Sequence, residues 1–316
     1  MDTPKLSVCI PTYNCAHFLP DAIGSVLRQK LDDFEIVIVD NASEDNTEEV
    51  VRGFQCPQIR YFRNSENLGP HHSAKRCLLE STGANIKYLC ADDVFVGDVL
   101  AKQMQVLDQH PNVSLVTCNL RITDQELRSR APEEGQYRQF PGTISGTRMI
   151  NACLSGLNNY IGGPSSIMYR RHQGIEIPSG PIYKWVGDLH FGLKLLERGD
   201  YFNIDQVGIL YRRHPNTDTA INCPETMRMP EYFRLADEFD WWNPLNCIQA
   251  IRRGGSEGKA VAVKNSLQAA APQRILNAVK AFGDVRFMRS YSHPPELFPA
   301  PSTASTHSLA GKDASA

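Results

Sequence analysis

Several features are missing from this chain, and each absence excludes something. No stretch reaches the roughly 18 consecutive apolar residues of a membrane-spanning helix. The start, MDTPKLSVCIPTYN, lacks a basic segment leading into an apolar run and a small-residue cleavage site, so no secretory leader is expected and the protein reads as cytoplasmic. Charge of one sign is not in excess: 33 Lys+Arg face 35 Asp+Glu, a net of −2, which argues against a general nucleic-acid binder. The nine cysteines form no CxxC pair and no zinc spacing with histidine, so reduced, mostly buried thiols are expected. Neither GxxxxGK[ST] nor GxGxxG follows the first apolar run, which removes phosphate binding of those two kinds. There is no internal repeat.

What is present is an alternation of types over the first 120 of 316 residues. Apolar, β-branched runs at 6–10, 34–39, 59–62, 86–90 and 113–118 read as buried strands. Between them, 18–27, 45–54, 73–81 and 96–109 carry helical spacing. This order predicts an α/β protein with a mainly parallel sheet covered on both faces. Ligands then bind beyond the carboxyl ends of the strands. Three segments stand there: Pro11–Asn14, Asp40–Ser43 and Ala91–Asp93. Residues 121–150 read as an irregular connection, 188–197 as a helix, 207–211 as a strand and 225–240 as a helix.

The composition changes after about residue 245. Residues 245–290 hold eight Lys/Arg against two acids. That segment reads either as a basic helix at the inner face of a membrane or as a solvated helix face, the latter weighing more. Residues 292–316, rich in Pro, Ser, Thr and Ala, read as a disordered tail. The expected organisation is 1–120, 121–240, a helical extension at 241–291, and the tail.

Two adjacent carboxylates at a strand end resist joint ionisation unless a cation sits between them and a ligand. Mg²⁺ takes one or two carboxylates together with substrate phosphates. Asp92 and Asp93, after IKYLCA, therefore point to a metal-bridged diphosphate, although most DD pairs are solvated loop residues. Asp188 opens a Leu-rich helix, where a helix cap is the plain alternative to any chemical role.

Together, SVCIPTYN (7–14), IVDNASEDNT (38–47), NSENLG (64–69), YLCADD (88–93), Gly187-Asp188 and YRRHP (211–215) resemble the family 2 glycosyltransferases over about residues 5–220. The resemblance implies the GT-A fold and transfer of a sugar from a nucleoside-diphosphate donor, commonly a UDP-sugar, to a hydroxyl acceptor. It implies polysaccharide, glycolipid or glycoconjugate assembly, with a lipid-linked acceptor among the options. It implies that Pro11, Thr12, Tyr13 and Asn14 cradle the base, that Asp40 accepts a hydrogen bond from it, and that Asn67 helps hold the nucleotide. Arg76 and Arg212 become candidate nucleotide or phosphate contacts. Asp92 and Asp93 fall on the metal motif for Mg²⁺ or Mn²⁺, with Asp92 also contacting the nucleotide, and His214 as a further ligand or phosphate donor. Cys90 replaces the acid usual two residues before Asp92, and a thiol is a poor Mg²⁺ ligand. Asp188 falls on the catalytic base, whose single direct displacement inverts the anomeric carbon. Tyr183 and Trp185 are expected either to stack on a sugar or to pack in the core. Gly162 to Ser166 would form part of the acceptor and donor-sugar wall. The rival readings are a non-catalytic nucleotide-sugar-binding subunit, kept open by Cys90, and a sugar nucleotidyltransferase. The latter is disfavoured by PTYNCAHF where such enzymes carry a Gly-rich basic loop.

Overall fold

The computed structural model describes residues 3–29, 31–129, 136–137, 140–156, 158–171, 183–215 and 225–239. The basic extension and tail expected beyond 240 lie outside the described residues. In chain order the elements are β1 (Leu6–Thr12), α1 (Leu19–Leu27), β2 (Phe34–Asp40), α2 (Thr47–Gly53), β3 (Ile59–Arg63), α3 (Pro70–Glu80), β4 (Asn85–Tyr88), β5 (Val94–Phe95) and α4 (Val99–Gln109). They continue with β6 (Val113–Thr123), β7 (Gln136–Tyr137), β8 (Gly142–Ile144), α5 (Gly146–Gly156), a 3₁₀ turn at Pro164–Ser166, β9 (Met168–Arg170), α6 (Gly187–Leu196), β10 (Asp200–Arg212) and α7 (Glu225–Glu238).

One sheet runs β3-β2-β1-β4-β9-β6-β10-β5, with β7 on β6 and β8 on β10. The β3-β2-β1-β4 half is parallel, and β6 pairs parallel with β10. β9 runs antiparallel between β4 and β6 and joins the two halves. The sheet is therefore continuous across position 120.

Strand alternation explains the unbroken apolar runs. Leu6, Val8, Ile10, Ile36 and Ile38 face one core, which includes Leu19, Ile23 and Leu100 from α1 and α4. Cys9, Val37 and Val39 face the other, with Cys77 of α3, Cys153 of α5 and Leu189 and Leu193 of α6. Both faces are covered, so a polar side chain on these strands is buried at a cost unless it finds a partner. Among the described residues seven cysteines are free thiols, four of them buried. No described helix is long and apolar enough to cross a membrane.

The structure corrects the reading in three places. The connection expected over 121–150 contains strand and helix: β6 continues to Thr123, and β8 leads into α5, whose Met149, Ala152 and Cys153 are buried. The strand expected at 207–211 begins at Asp200 and spans 13 residues. The helix expected from 96 starts at Val99, because Val94 and Phe95 pair antiparallel with β10.

Candidate functional site

Register aligns the carboxyl ends of the strands. Thr12 stands opposite Asp40, and Asp40 opposite Arg63. Asp40 is fully buried there. Its Oδ1 accepts the Ser43 N–H (2.8 Å), and its Oδ2 accepts Tyr61 O–H and Arg63 Nη1 (both 2.6 Å). Burial alone would raise this carboxyl. The hydrogen bonds from Ser43 and Tyr61 and the Arg63 charge outweigh it and hold Asp40 below the ordinary carboxylate range.

The loops after β1 and β2 are stitched together. Asn14 N–H donates to Ser43 Oγ (2.9 Å), and Asn14 Oδ1 accepts the Glu44 N–H (2.8 Å). Ala16 N–H reaches Asp45 Oδ2 (3.0 Å). Tyr13 keeps its side chain 40% exposed at this edge, an accessible aromatic face beside the strand tips. Pro11 is half-buried and Thr12 buried.

An asparagine network fixes the next loop. Asn41 Nδ2 donates to Asn67 Oδ1 (2.6 Å), while Asn41 Oδ1 accepts Asn64 Nδ2 (2.9 Å) and Leu68 N–H (3.0 Å). Gly69, with φ of +86°, makes the turn into α3 that a β-carbon would strain. Arg76 Nη1 donates to Arg63 O (2.8 Å) and Asn64 Oδ1 (2.6 Å), and its guanidinium lies 5.7 Å from the Phe62 ring centroid, with that of Arg60 at 5.3 Å. Asn67 and Arg76 thus hold the loop itself, Asn67 through Asn41 and Gly69 and Arg76 through Arg63 and Asn64.

Beyond β4 the chain turns through Cys90, Asp92 and Asp93. One ligand atom from each lies within 4.8 Å of the others. Asp93 is 1% exposed. Its Oδ2 accepts Ser165 O–H (2.5 Å) and its Oδ1 the Arg212 N–H (3.2 Å). Burial first, then the Asp92 charge, pushes Asp93 up to about 8 against those two bonds. Burial and the same two acids push the Cys90 thiol well above its ordinary value. His214 Nε2 sits 3.1 Å from Asp92 Oδ2, with its ring 4.6 Å from that of Phe18. The donor set fits a divalent cation: two carboxylates crowded at low dielectric are relieved by positive charge between them.

Arg212 is 2% exposed and directs its donors at protein atoms. Nε donates to Asp92 O (2.8 Å), Nη2 to Asp21 Oδ2 (2.9 Å), and Nη1 to Gln125 O, while the guanidinium lies 4.7 Å from the Phe18 ring centroid. It clasps the acidic turn from beneath.

Asp188 is the second residue of α6, whose N-cap position is Val186. Asp188 is thus not the N-cap itself but still satisfies a first-turn amide: its Oδ1 accepts the Leu189 N–H (2.8 Å), and its Oδ2 accepts Asn159 Nδ2 (3.3 Å). Burial raises the Asp188 carboxyl, opposed by the Leu189 N–H, by His71 and by Asn159. A raised carboxyl is a stronger base once ionised. Asn159 also holds the Gly162 turn, donating to Gly162 O (3.2 Å) and accepting from the Ile161 and Gly162 N–H groups (3.0 and 3.1 Å). The 159–165 segment thus touches Asp188 at one end and Asp93 at the other. Tyr183 packs in the core and donates its O–H to Glu238 Oε2 (2.7 Å), which closes the stacking option for it. Trp185 is half-buried under Lys184 Nζ, 4.8 Å from its ring centroid.

Sequence reasoning missed Asn159, Arg63, Tyr61 and His71, and gave Ser165 no role of its own within the 162–166 wall. Only Arg63 carried a local signal, as a cation one strand across from Asp40; Tyr61 looks like an ordinary strand residue and the others like ordinary loop or helix residues.

Known proteins resemble this chain in sequence and in fold. A glucosyltransferase of Campylobacter jejuni, named GalNAc(5)-diNAcBac-PP-undecaprenol beta-1,3-glucosyltransferase, is 35% identical over 105 residues, 32% of this chain and 34% of that protein. The chain spans less than two thirds of the length of the curated relatives it matches first, 63% and 57% of two of them. The crystal structure of S. aureus TarS 1-349 in complex with UDP-GlcNAc superposes with a TM-score of 0.60 at 16% identity, covering 87% of this chain and 83% of that one. The mannosyltransferase PcManGT from Pyrobaculum calidifontis, in complex with GDP-Man and Mn²⁺, superposes at 0.59 and 18% identity, covering 92% and 82%. These likenesses show the GT-A fold. The family model described as Glycosyl transferase family 2 matches residues 7–172, more than half of the chain, and on that ground the chain belongs to glycosyl transferase family 2.

Proposed function

We propose that the chain is a metal-dependent, inverting glycosyltransferase that moves a sugar from a nucleoside-diphosphate donor, a UDP-sugar, to a hydroxyl acceptor. The observation that carries this reading is the 159–165 segment, which ties the raised Asp188 to the wall that holds Asp93. An acid pair suited to a cation and a half-buried carboxylate are thus joined through one short segment. Tyr13, Pro11, Thr12 and Asn14 form the near wall for a base, with Asp40 and Asn67 shaping its floor. Asp188 takes the acceptor hydroxyl proton as the new bond forms. Asp92 and Asp93 would hold Mg²⁺ or Mn²⁺, with His214 beside Asp92. When bound, the cation offsets charge growing on the departing diphosphate. Arg212 keeps the acidic turn in place from below. The Campylobacter relative's name supports a lipid-linked acceptor as the substrate class.

The test is a donor panel with Mg²⁺ or Mn²⁺, reading acceptor-dependent nucleoside diphosphate release and donor affinity by calorimetry. Asp188→Asn is expected to lower transfer at least about 100-fold while donor affinity stays within about twofold. Asp92→Asn is expected to lose both transfer and donor affinity. Wild-type transfer by the Asp188 variant removes it from the mechanism, and activity untouched by chelator removes the metal. Cys90 favours one second reading, a nucleotide-sugar-binding subunit without turnover; donor affinity without release across the whole acceptor panel would establish it.

A further inference from the structure

We infer that Glu231, on α7, is a positioning residue for Asp188. This rests on the reading of Asp188 as the base. The segment 183–186 leads into α6 with no side-chain cap of its own. Backbone N–H groups ahead of a helix need acceptors. Here they find one carboxylate from a distant element. Glu231 Oε1 accepts the Lys184 N–H (2.7 Å), and its Oε2 accepts the Trp185 (2.7 Å) and Val186 (3.1 Å) N–H groups. Glu231 is buried, so these are charge-assisted bonds shielded from water.

The same peptide is gripped from the other side. Lys184 O lies 3.4 Å from His71 Nε2, and the His71 ring lies against Gly187, where a β-carbon would stand 2.9 Å from its Cε1. Val186 O in turn accepts the His190 N–H (2.8 Å), the first α6 bond after the gripped turn. Asp188 is two residues beyond the last N–H held by Glu231. Its carboxylate is held by the Leu189 N–H (2.8 Å), which belongs to the same turn, and from outside the helix by Asn159, long at 3.3 Å. The direction from which Asp188 meets the acceptor therefore depends on where Glu231 holds 184–186. Displacing a reacting group by about 1 Å costs on the order of 100-fold in rate.

Glu238 supplies the control. It lies on the same helix and bonds α6 side chains and Tyr183, not the 184–186 backbone: Tyr183 O–H (2.7 Å), His190 Nε2 (2.7 Å) and Lys194 Nζ (3.4 Å). Glu231→Gln and Glu238→Gln both weaken the α6–α7 contact, and only the first releases the turn that carries Asp188.

The experiment measures kcat and donor KM for wild type, Glu231→Gln and Glu238→Gln in the full chain, with melting temperature and amide exchange over 183–190. Glu231→Gln is expected to lower kcat about tenfold or more, leave donor KM within about twofold, and speed exchange at 184–186. Glu238→Gln is expected to melt earlier with kcat unchanged. Should Glu231→Gln be too unstable to assay, Glu231→Asp, which keeps the charge one methylene short, is read the same way. Unchanged kcat in the Glu231 variant of an active enzyme overturns the inference alone, as does a fall in kcat that tracks melting temperature equally in both variants. A wild type with donor affinity and no transfer overturns the functional reading, and this inference with it.

Discussion

Cys90 lies two residues before Asp92, and the fold brings its sulfur to within 4.8 Å of carboxylate oxygens of Asp92 and Asp93. Soft sulfur disfavours Mg²⁺ and tolerates Mn²⁺ better, whereas a third carboxylate is a hard donor. Cys90→Asp is therefore expected to move the ratio of Mg²⁺ to Mn²⁺ affinity at least about tenfold toward Mg²⁺, read by calorimetry without donor. An unchanged ratio would show that the thiol stays outside the coordination sphere. The sequence reading set Cys90 aside on softness alone. Its nearness to both acids became visible only in three dimensions, because one turn after a strand can send a side chain to either side.

At the scale of elements, β10 shows how a strand delivers a side chain. Its register against β6 shifts between Ile204 and Val207 and again between Val207 and Ile209. Bulges of this kind re-aim the strand that follows, and the end of β10 places Arg212 beneath Asp92 and beside Asp21 of α1. Arg212→Ala leaves three carbonyl or carboxylate oxygens without their donor and a void beside Phe18. Asp21 is about half exposed and recovers water, so the expected loss is about 3 kcal/mol, measured by urea unfolding. Arg212→Lys should recover less than half of it, since an ammonium cannot serve three separated acceptors. A second element-scale prediction concerns Gly146 at the start of α5. A β-carbon there would run into the backbone carbonyl oxygens of Leu196 and Gly199, where α6 turns into β10. Gly146→Ala is expected to cost about 2 kcal/mol, because backbone on the far side cannot rotate away. Wild-type stability would mean that this turn moves as a unit.

Across the whole molecule the two ends of the sheet do different work. The carboxyl edge carries the crowded acids, and the opposite edge carries a satisfied one. Glu35 begins near the start of β2 and is buried, with Oε1 accepting Ser7 O–H (2.6 Å), Thr82 N–H (2.5 Å) and Thr82 O–H (2.8 Å), and Oε2 accepting Arg60 Nη1 (2.7 Å). Burial alone would raise this carboxyl; the bonds from Ser7, Arg60 and Thr82 overcome it and lower it from 4.5 to about 2. A depressed folded-state value stabilises the protein above the unfolded value, and that stability is lost as pH falls from about 4.5 through 2. The shift corresponds to about 3 kcal/mol. The stability gap between wild type and Glu35→Gln should therefore be full at pH 6 and shrink steadily between pH 4.5 and 2, by urea unfolding at each pH. A gap that persists at pH 2 would show that shape rather than charge sets the contribution of Glu35.

The core strands were legible because burial on both faces leaves no room for polar alternation: FEIVIV at 34–39 can only be a covered strand in a sheet of this kind. From such runs and the helices between them followed the order of elements and the edge on which loops converge. β9 was not legible, since three residues between a turn and a polar stretch carry no period. Nor was the buried Lys87, which donates to Gln103 Oε1 at 2.8 Å inside a run that reads as apolar. Apolar patterning is a local property, repeated along each strand, and the chain encodes it without reference to anything distant. Partnership is not local. Whether Glu231 meets water or the 184–186 backbone, and whether Asp93 meets Ser165, depends on segments far away in the chain arriving at one place. The positions of the loops were thus set by sequence, and the identity of the groups that hold Asp93 and Asp188 by packing, because a carboxylate looks the same in sequence whatever donor the fold brings to it.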